Sequence, residues 1–277
     1  AGAMRGYGSP QVYFGWQRQM QKIADFLHMD MADLQMKNMV DPDSCDPIFH
    51  KPHGNSRPKD CLKRALELID YEACLKEQEA TRNQDIRIGV GLALGVHGNN
   101  CVGAHRDVST PMLKMNEDGS CIYYTGSHDM GTDTLGMQMQ IVSEVLGISM
   151  DRIECIQADT DATMYDLGNY SSRGTFVSCS AALKVAGQVK TELLKEASGL
   201  LEVDESELDL KDQRVYCISR PDTSASLAEV IKYAKQAHGR DICCADTFAS
   251  CAMAVSYGAH FAKVQVDMEN GSVKVLD

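Results

Sequence analysis

Three short segments combine glycine with hydroxyl and carboxylate residues directly ahead of stretches with helical periodicity. They are Arg5-Gly6-Tyr7-Gly8-Ser9, Gly126-Ser127-His128-Asp129-Met130-Gly131-Thr132-Asp133-Thr134 and Gly168-Asn169-Tyr170-Ser171-Ser172-Arg173-Gly174-Thr175. A helix entrance exposes unpaired backbone N–H groups and a partial positive charge, and glycine lets a ligand approach them closely. Together the three loops could cradle a phosphate-bearing cofactor, with Arg5 and Arg173 as planar guanidinium donors to an oxo-anion. Each loop also reads as an ordinary helix cap, and each arginine as the partner of a surface carboxylate. Asp129 and Asp133 oppose an anion unless they point away or hydrogen-bond to neutral groups of the ligand. Tyr7 reads as a pocket wall or as a buried ring.

Other clusters favour bland readings. His97, His105 and His128 have no second ligand at helical spacing and read as exposed or hydrogen-bonded residues. Cys243-Cys244 reads as buried strand-edge packing. Asp159, Asp161 and Asp166 crowd one loop and read as solvated turn residues before they read as a hard-cation site. The eleven cysteines are scattered, with no Cys-x-x-Cys pair to hold zinc or an iron–sulfur cluster, which favours reduced thiols and a cytoplasmic setting. No nucleophile–base pair stands out.

The elements that must position these loops follow from pattern. Ser9 and Pro10 open a helix through Leu27 with Val12, Phe14, Met20, Ile23, Ala24 and Leu27 on its apolar side, and a second helix covers Met31–Asn38. Pro42, Pro47, Pro52, Gly54 and Pro58 mark a connection, followed by a helical segment Pro58–Thr81. Strands are expected at 86–96, 110–115, 121–126, 153–157, 214–218, 246–255, 260–266 and 272–276. Helices are expected at 134–146, 175–201 and 227–238, and turns at Asn116-Glu117-Asp118-Gly119 and Asn270-Gly271. The fold class is α+β, mixed sheets with helices packed on them. With 277 residues, 44% of them hydrophobic, the chain can bury one large core or two modest ones. A formal charge of −12 argues against nucleic acid, and no apolar run approaches the ~20 residues of a membrane span.

The opening run Ala3-Met4-Arg5-Gly6-Tyr7-Gly8-Ser9-Pro10-Gln11 resembles the Ala-Phe-Arg-Gly-Phe/Tyr-Gly-x-Pro-Gln segment of the molybdenum-cofactor-binding large subunit of the xanthine dehydrogenase and aldehyde oxidase family. Asp129-Met130-Gly131-Thr132 with Gln140–Gly147 is similar to that family's Met-Gly loop and its helix ending in Glu-x-Leu-Gly, although Asp133 stands where a glycine is usual. Asp159-Thr160-Asp161 with Gly168–Thr175 is similar to its Ser-Ser/Ala-Ser-Arg stretch, and Ser256–Asp267 to the strand before its last cofactor-binding quarter.

The resemblance implies a molybdenum-pterin cofactor (molybdopterin, or its cytosine dinucleotide form) held by Arg5, Gly6, Gly131, Thr132, Ser171, Ser172 and Arg173, with Arg5 and Ser172 nearest the metal. It implies a substrate pocket at Tyr7, Leu94 and Gly95. The lobes it implies are 1–57 as the end of a first molybdopterin-binding lobe, 58–85 as a helical connection and 86–277 as the first part of a second lobe. The implied reaction hydroxylates an electron-poor carbon with water as oxygen source. Its glutamate base belongs to a later Gly-Glu segment, so no catalytic residue is expected here and the chain alone should be inactive. The abrupt start inside a glycine-rich motif suggests a piece of a longer protein. Partners would be the remainder of the large subunit and iron–sulfur and FAD subunits carrying [2Fe-2S] clusters and FAD. Leu94 and Gly95 replace the aromatic and threonine of purine-oxidising relatives, yet an N-heteroaromatic or purine substrate is favoured over an aldehyde. A hydroxybenzoyl-coenzyme A reductase-type enzyme and a non-catalytic cofactor-binding scaffold are the alternatives.

Overall fold

The computed structural model describes residues 4–42, 44–45, 47–48, 50, 56–101, 105–252 and 254–277. Ala3 of the opening run, and Pro52 and Gly54 of the expected connection, lie outside the described residues. In chain order the elements are α1 (Ser9–Leu27), α2 (Met31–Asn38), α3 (Pro58–Leu68), α4 (Tyr71–Ala80), β1 (Ile86–Gly98), β2 (Val108–Ser109), β3 (Met112–Met115), β4 (Cys121–Thr125), α5 (Thr134–Leu146), β5 (Ile153–Gln157), α6 (Cys179–Leu201), β6 (Leu208–Lys211), β7 (Arg214–Cys217), β8 (Ser224–Ser226), α7 (Leu227–His238), β9 (Cys243–Ala245), β10 (Phe248–Ala249), β11 (Val255–Asp267) and β12 (Val273–Val275). Mixed sheets with packed helices make the α+β class plain.

Two compact units form, residues 1–98 with 255–277, and residues 99–254. The expected lobes 1–57, 58–85 and 86–277 do not coincide with them. The reason is a long-range pairing: β1 and β11 run antiparallel over their full lengths, from Ile86 opposite Asp267 to Gly98 opposite Val255. In this first unit β12 joins β11, and Gly271 takes the left-handed turn (φ 74°) expected at Asn270-Gly271. The apolar side expected for α1 is a correction. Only Met20 and Ala24 are buried, whereas Val12 and Phe14 are 67% and 73% exposed and Ile23 and Leu27 are also exposed. The expected helix 58–81 is two helices, because Asp70 turns left-handed (φ 50°) and caps α4 by accepting from the Ala73 N–H.

The second unit carries the sheet order β5-β4-β3-β9, a three-stranded sheet β6-β7-β8 and the pair β10-β2. The β3-β4 hairpin closes through Asn116–Gly119 as expected, with the Asn116 N–H on the Ser120 carbonyl. β5 runs parallel to β4, so α5 has to cross between them, and it carries its N-terminus to one end of the sheet. Strands β6 and β8 were not expected, and residues 246–255 are not one strand: they hold β10 and only the first residue of β11, while β9 precedes them. The core gathers Leu113, Tyr123, Val142, Leu146, Val185, Val189, Leu193, Leu227 and Val230 around α6. All eleven cysteines are free; Cys243 is exposed rather than buried, on edge strand β9. Burial pushes the Cys121 thiol up to about 12 and Cys155 and Cys179 to about 11, so these are unreactive packing groups. No helix among the described residues is long and apolar enough to cross a membrane.

Because α6 buries one face only, truncation should discriminate sharply along it. Leu193→Ala, fully buried, is expected to cost about 2–5 kcal/mol. Leu183→Ala, at a residue of the same helix that is 55% exposed, should stay within about 0.5 kcal/mol. Urea-unfolding midpoints check both, and similar losses at the two positions would contradict this packing.

Candidate cofactor-binding site

The entrances of α5 and α6 meet in the second unit. At α5, Gly126 has no room for a side chain: a Cβ there would lie 2.6 Å from Asp166 Cβ and 2.8 Å from the Met164 carbonyl oxygen. Ser127 donates to Asn169 Oδ1 at 3.0 Å, and the Asn169 amide donates to the His128 carbonyl, so the two loops are laced together. Gly174 presses on Thr134, whose Cγ2 would be 3.0 Å from a Cβ at that glycine. Gly131, by contrast, faces open space at φ +92°.

At this entrance a carboxylate is turned onto the helix-start N–H groups. Asp129 Oδ1 accepts from the Gly131 N–H at 2.6 Å and from the Thr132 N–H at 3.1 Å. The carboxylate neither points away nor waits for a neutral group of a ligand; it occupies N–H groups an incoming anion would use. The Gly131 N–H, with its neighbours, holds its pKa below the usual carboxylate range. Thr132 and Thr134 share a hydroxyl–hydroxyl hydrogen bond at 2.9 Å.

At α6, Ser171 and Ser172 are both left-handed (φ 48° and 52°), which costs roughly 1–2 kcal/mol per residue without glycine. Ser172 is exposed, while Ser171 donates to the Asn100 carbonyl at 3.3 Å. Behind them a π-helical turn, Gly174–Ser178, leads into α6. The first N–H groups of such a turn have no upstream carbonyl within it. Arg173 is fully buried, and this corrects its expected role as a donor to the cofactor. Its Nε donates to Asp107 at 2.6 Å, Nη1 to Asp166 at 2.9 Å and to the Gly168 carbonyl at 2.7 Å, and Nη2 to the Val108 carbonyl at 2.5 Å. Asp166 is likewise no solvated turn residue, since its side chain is 1% exposed. Asp107 was not singled out in the sequence. It lies 66 positions from Arg173, with no local pattern to announce it. Tyr170 meets His105 Nε2 at 2.6 Å, and burial pushes its hydroxyl up to about 12.

The opening loop belongs to the first unit. Arg5 is exposed, Gly6 turns at φ +95° with Pro10 Cδ 3.0 Å from where a Cβ would stand, and Tyr7 is 57% exposed. Leu94 and Gly95 line a cavity of about 200 Å³ with Trp16, Met39 and Tyr257; Tyr7 is not in that lining. His97 meets Ser9 Oγ at 3.4 Å. Among the described residues no group of three His, Cys, Asp or Glu side chains could hold a metal ion.

The laced entrances thus offer hydroxyls (Thr132, Ser172, Thr175), helix-start N–H groups and the open space at Gly131. That donor-rich set suits a polar, phosphate-bearing organic cofactor. A family model described as Molybdopterin cofactor-binding domain matches residues 64–277, and a second of the same description matches residues 1–39. The chain belongs to this molybdopterin cofactor-binding family. It is similar to the xanthine dehydrogenase molybdenum-binding subunit of Escherichia coli O157:H7, 27% identical over 80% of this chain and 30% of that protein. An aldehyde oxidoreductase of Megalodesulfovibrio gigas is 31% identical over 47% of this chain and 14% of its own length. The chain therefore spans less than a third of each relative. In fold it is similar to the reconstituted CO dehydrogenase from Oligotropha carboxidovorans, with a TM-score of 0.82 and 22% identity over 97% of this chain and 36% of the other.

Two outcomes check the entrances. Gly126→Ala forces Asp166 or the Met164 carbonyl to move and should cost about 1–3 kcal/mol, read from thermal unfolding. Asp129's contribution to the loop is present above the usual carboxylate range and lost as pH falls through its depressed value. Amide-exchange protection at Gly131 should follow that titration and become pH-independent in Asp129→Asn; protection unchanged down to full protonation would contradict the capping.

Proposed function

We propose that this chain is the cofactor-holding part of a molybdenum hydroxylase that inserts a water-derived oxygen into an N-heteroaromatic or purine substrate. The observation that carries the reading is the laced pair of α5 and α6 entrances, rich in donors, in a chain of the molybdopterin-binding family. When bound, the molybdenum–pterin group supplies two-electron redox chemistry and activation of a water-derived ligand.

The chain's own residues bind and orient. Gly131, Thr132, Ser171 and Ser172 present the pterin and its phosphate or cytosine dinucleotide extension with hydroxyls, backbone and space, and Arg173 acts from beneath them. Gly6 would help hold the cofactor, Arg5 and Ser172 would stand nearest the metal, and Tyr7, Leu94 and Gly95 at the substrate. The cavity beside Leu94 and Gly95, walled by the rings of Trp16 and Tyr257, supports a flat apolar substrate. The name of the Escherichia coli relative supports a purine. An aldehyde is the second reading, favoured by the Megalodesulfovibrio gigas relative. A glutamate base, [2Fe-2S] clusters and FAD are supplied by other parts of the subunit or by partner subunits. The eleven free thiols support a cytoplasmic location.

Metal and pterin analysis of the purified native complex is expected to find molybdenum and a fluorescent pterin oxidation product; a complex with neither would end the reading. Anaerobic addition of purines should bleach the iron–sulfur absorbance faster than aromatic aldehydes do, and the reverse order would select the aldehyde reading.

A further inference from the structure

We infer that Arg173 is a positioning residue: its buried clamp sets the two left-handed serines before α6 so that the Ser172 hydroxyl and the N–H donors of the pair face the cofactor. The inference rests on the cofactor-binding reading above.

The clamp joins segments far apart in sequence. One guanidinium satisfies two buried carboxylates, Asp107 and Asp166, together with the carbonyls of Val108 and Gly168. Each carboxylate then holds further backbone. The second oxygen of Asp107 accepts from the Cys101 N–H at 3.1 Å, and Asp166 accepts from Ser109 Oγ at 2.5 Å and from the Gly168 N–H at 2.7 Å. Both ends of the 168–174 loop are therefore tied to one ion cluster, Gly168 by its carbonyl and N–H, and Arg173 by its own side chain.

Between the ties stand Ser171 and Ser172, in a conformation that serine rarely adopts unaided. Ser172 is exposed where Arg173, its neighbour, is fully buried. Pulling the arginine inward turns the preceding residue outward. The guanidinium also lies 6.0 Å from the Tyr170 ring centre, so the residue before the serine pair is held as well. A buried cluster with two carboxylates and one guanidinium would be a costly way only to fill a core. Its cation is adjacent in sequence to the exposed Ser172.

The test uses the complete native polypeptide carrying this sequence, expressed with its partner subunits, and reads bound pterin per polypeptide alongside the melting temperature. Arg173→Lys keeps the charge and loses the planar fork. It should reduce bound pterin at least tenfold. Adding Ser171→Gly and Ser172→Gly to that variant lets the backbone adopt positive φ without the clamp. The triple variant should recover at least half the pterin while its melting temperature stays that of Arg173→Lys. Wild-type protein without pterin would remove the cofactor reading and this inference with it. Loaded wild type with an equally loaded Arg173→Lys would overturn the inference alone. So would failure of the glycines to restore loading, including the case in which neither variant folds, since Arg173 would then serve folding only.

Discussion

A guanidinium with no solvent access must find all its hydrogen bonds inside the protein, and Arg173 finds them on two aspartates and two main-chain carbonyls. Much of the arrangement at the α6 entrance hangs on that requirement. Removing one partner of a buried ion cluster typically costs about 3–5 kcal/mol, because the remaining charges are left uncompensated. The segments bearing Asp107, Asp166 and Arg173 are thus bound to a common arrangement, and strain at Ser171 and Ser172 can persist in the folded state.

Around this cluster the packing is conventional. α6 runs through the core with Val185, Val189 and Leu193 fully buried, and α5 crosses between parallel strands β4 and β5. The two helix starts consequently arrive side by side, joined by the Ser127–Asn169 hydrogen bond and the contact of Gly174 with Thr134. Convergent helix starts gather partial positive charge without a mobile cation, a suitable setting for a large anionic cofactor. Asp129 already neutralises part of one of them, which leaves the α6 entrance as the less occupied of the two.

The relatives bear names pointing to xanthine and to aldehydes, and a protein of the same fold oxidises carbon monoxide by name. What the chain is shown to share is the molybdopterin cofactor-binding domain, and a shared fold does not by itself fix the substrate.

How much could be read without coordinates follows the range of the interactions. The bounds of α1, α2, α5 and α7 are legible because their signals lie within a few residues: Pro10 in the first turn, Asp30 accepting from the Ala32 and Asp33 N–H groups, Gly147 and Gly239 as left-handed ends, and Ser226 with Glu229 in a reciprocal cap. The glycine and serine loops ahead of the helices, and their likeness to a molybdopterin-binding family, were equally visible. Which face of α1 is buried was not legible, since Val12 and Phe14 fit the helical period and yet remain exposed. Nor were short strands β6 and β8, whose pairing depends on partners rather than on a long alternating run. The fate of Arg173 was decided only by tertiary structure. An arginine beside a phosphate and one locked between distant aspartates have the same neighbours in sequence; only folding brings Asp107 across 66 positions to take the donor. Local chemistry determined where donors are offered, and long-range burial decided which of them were left to give.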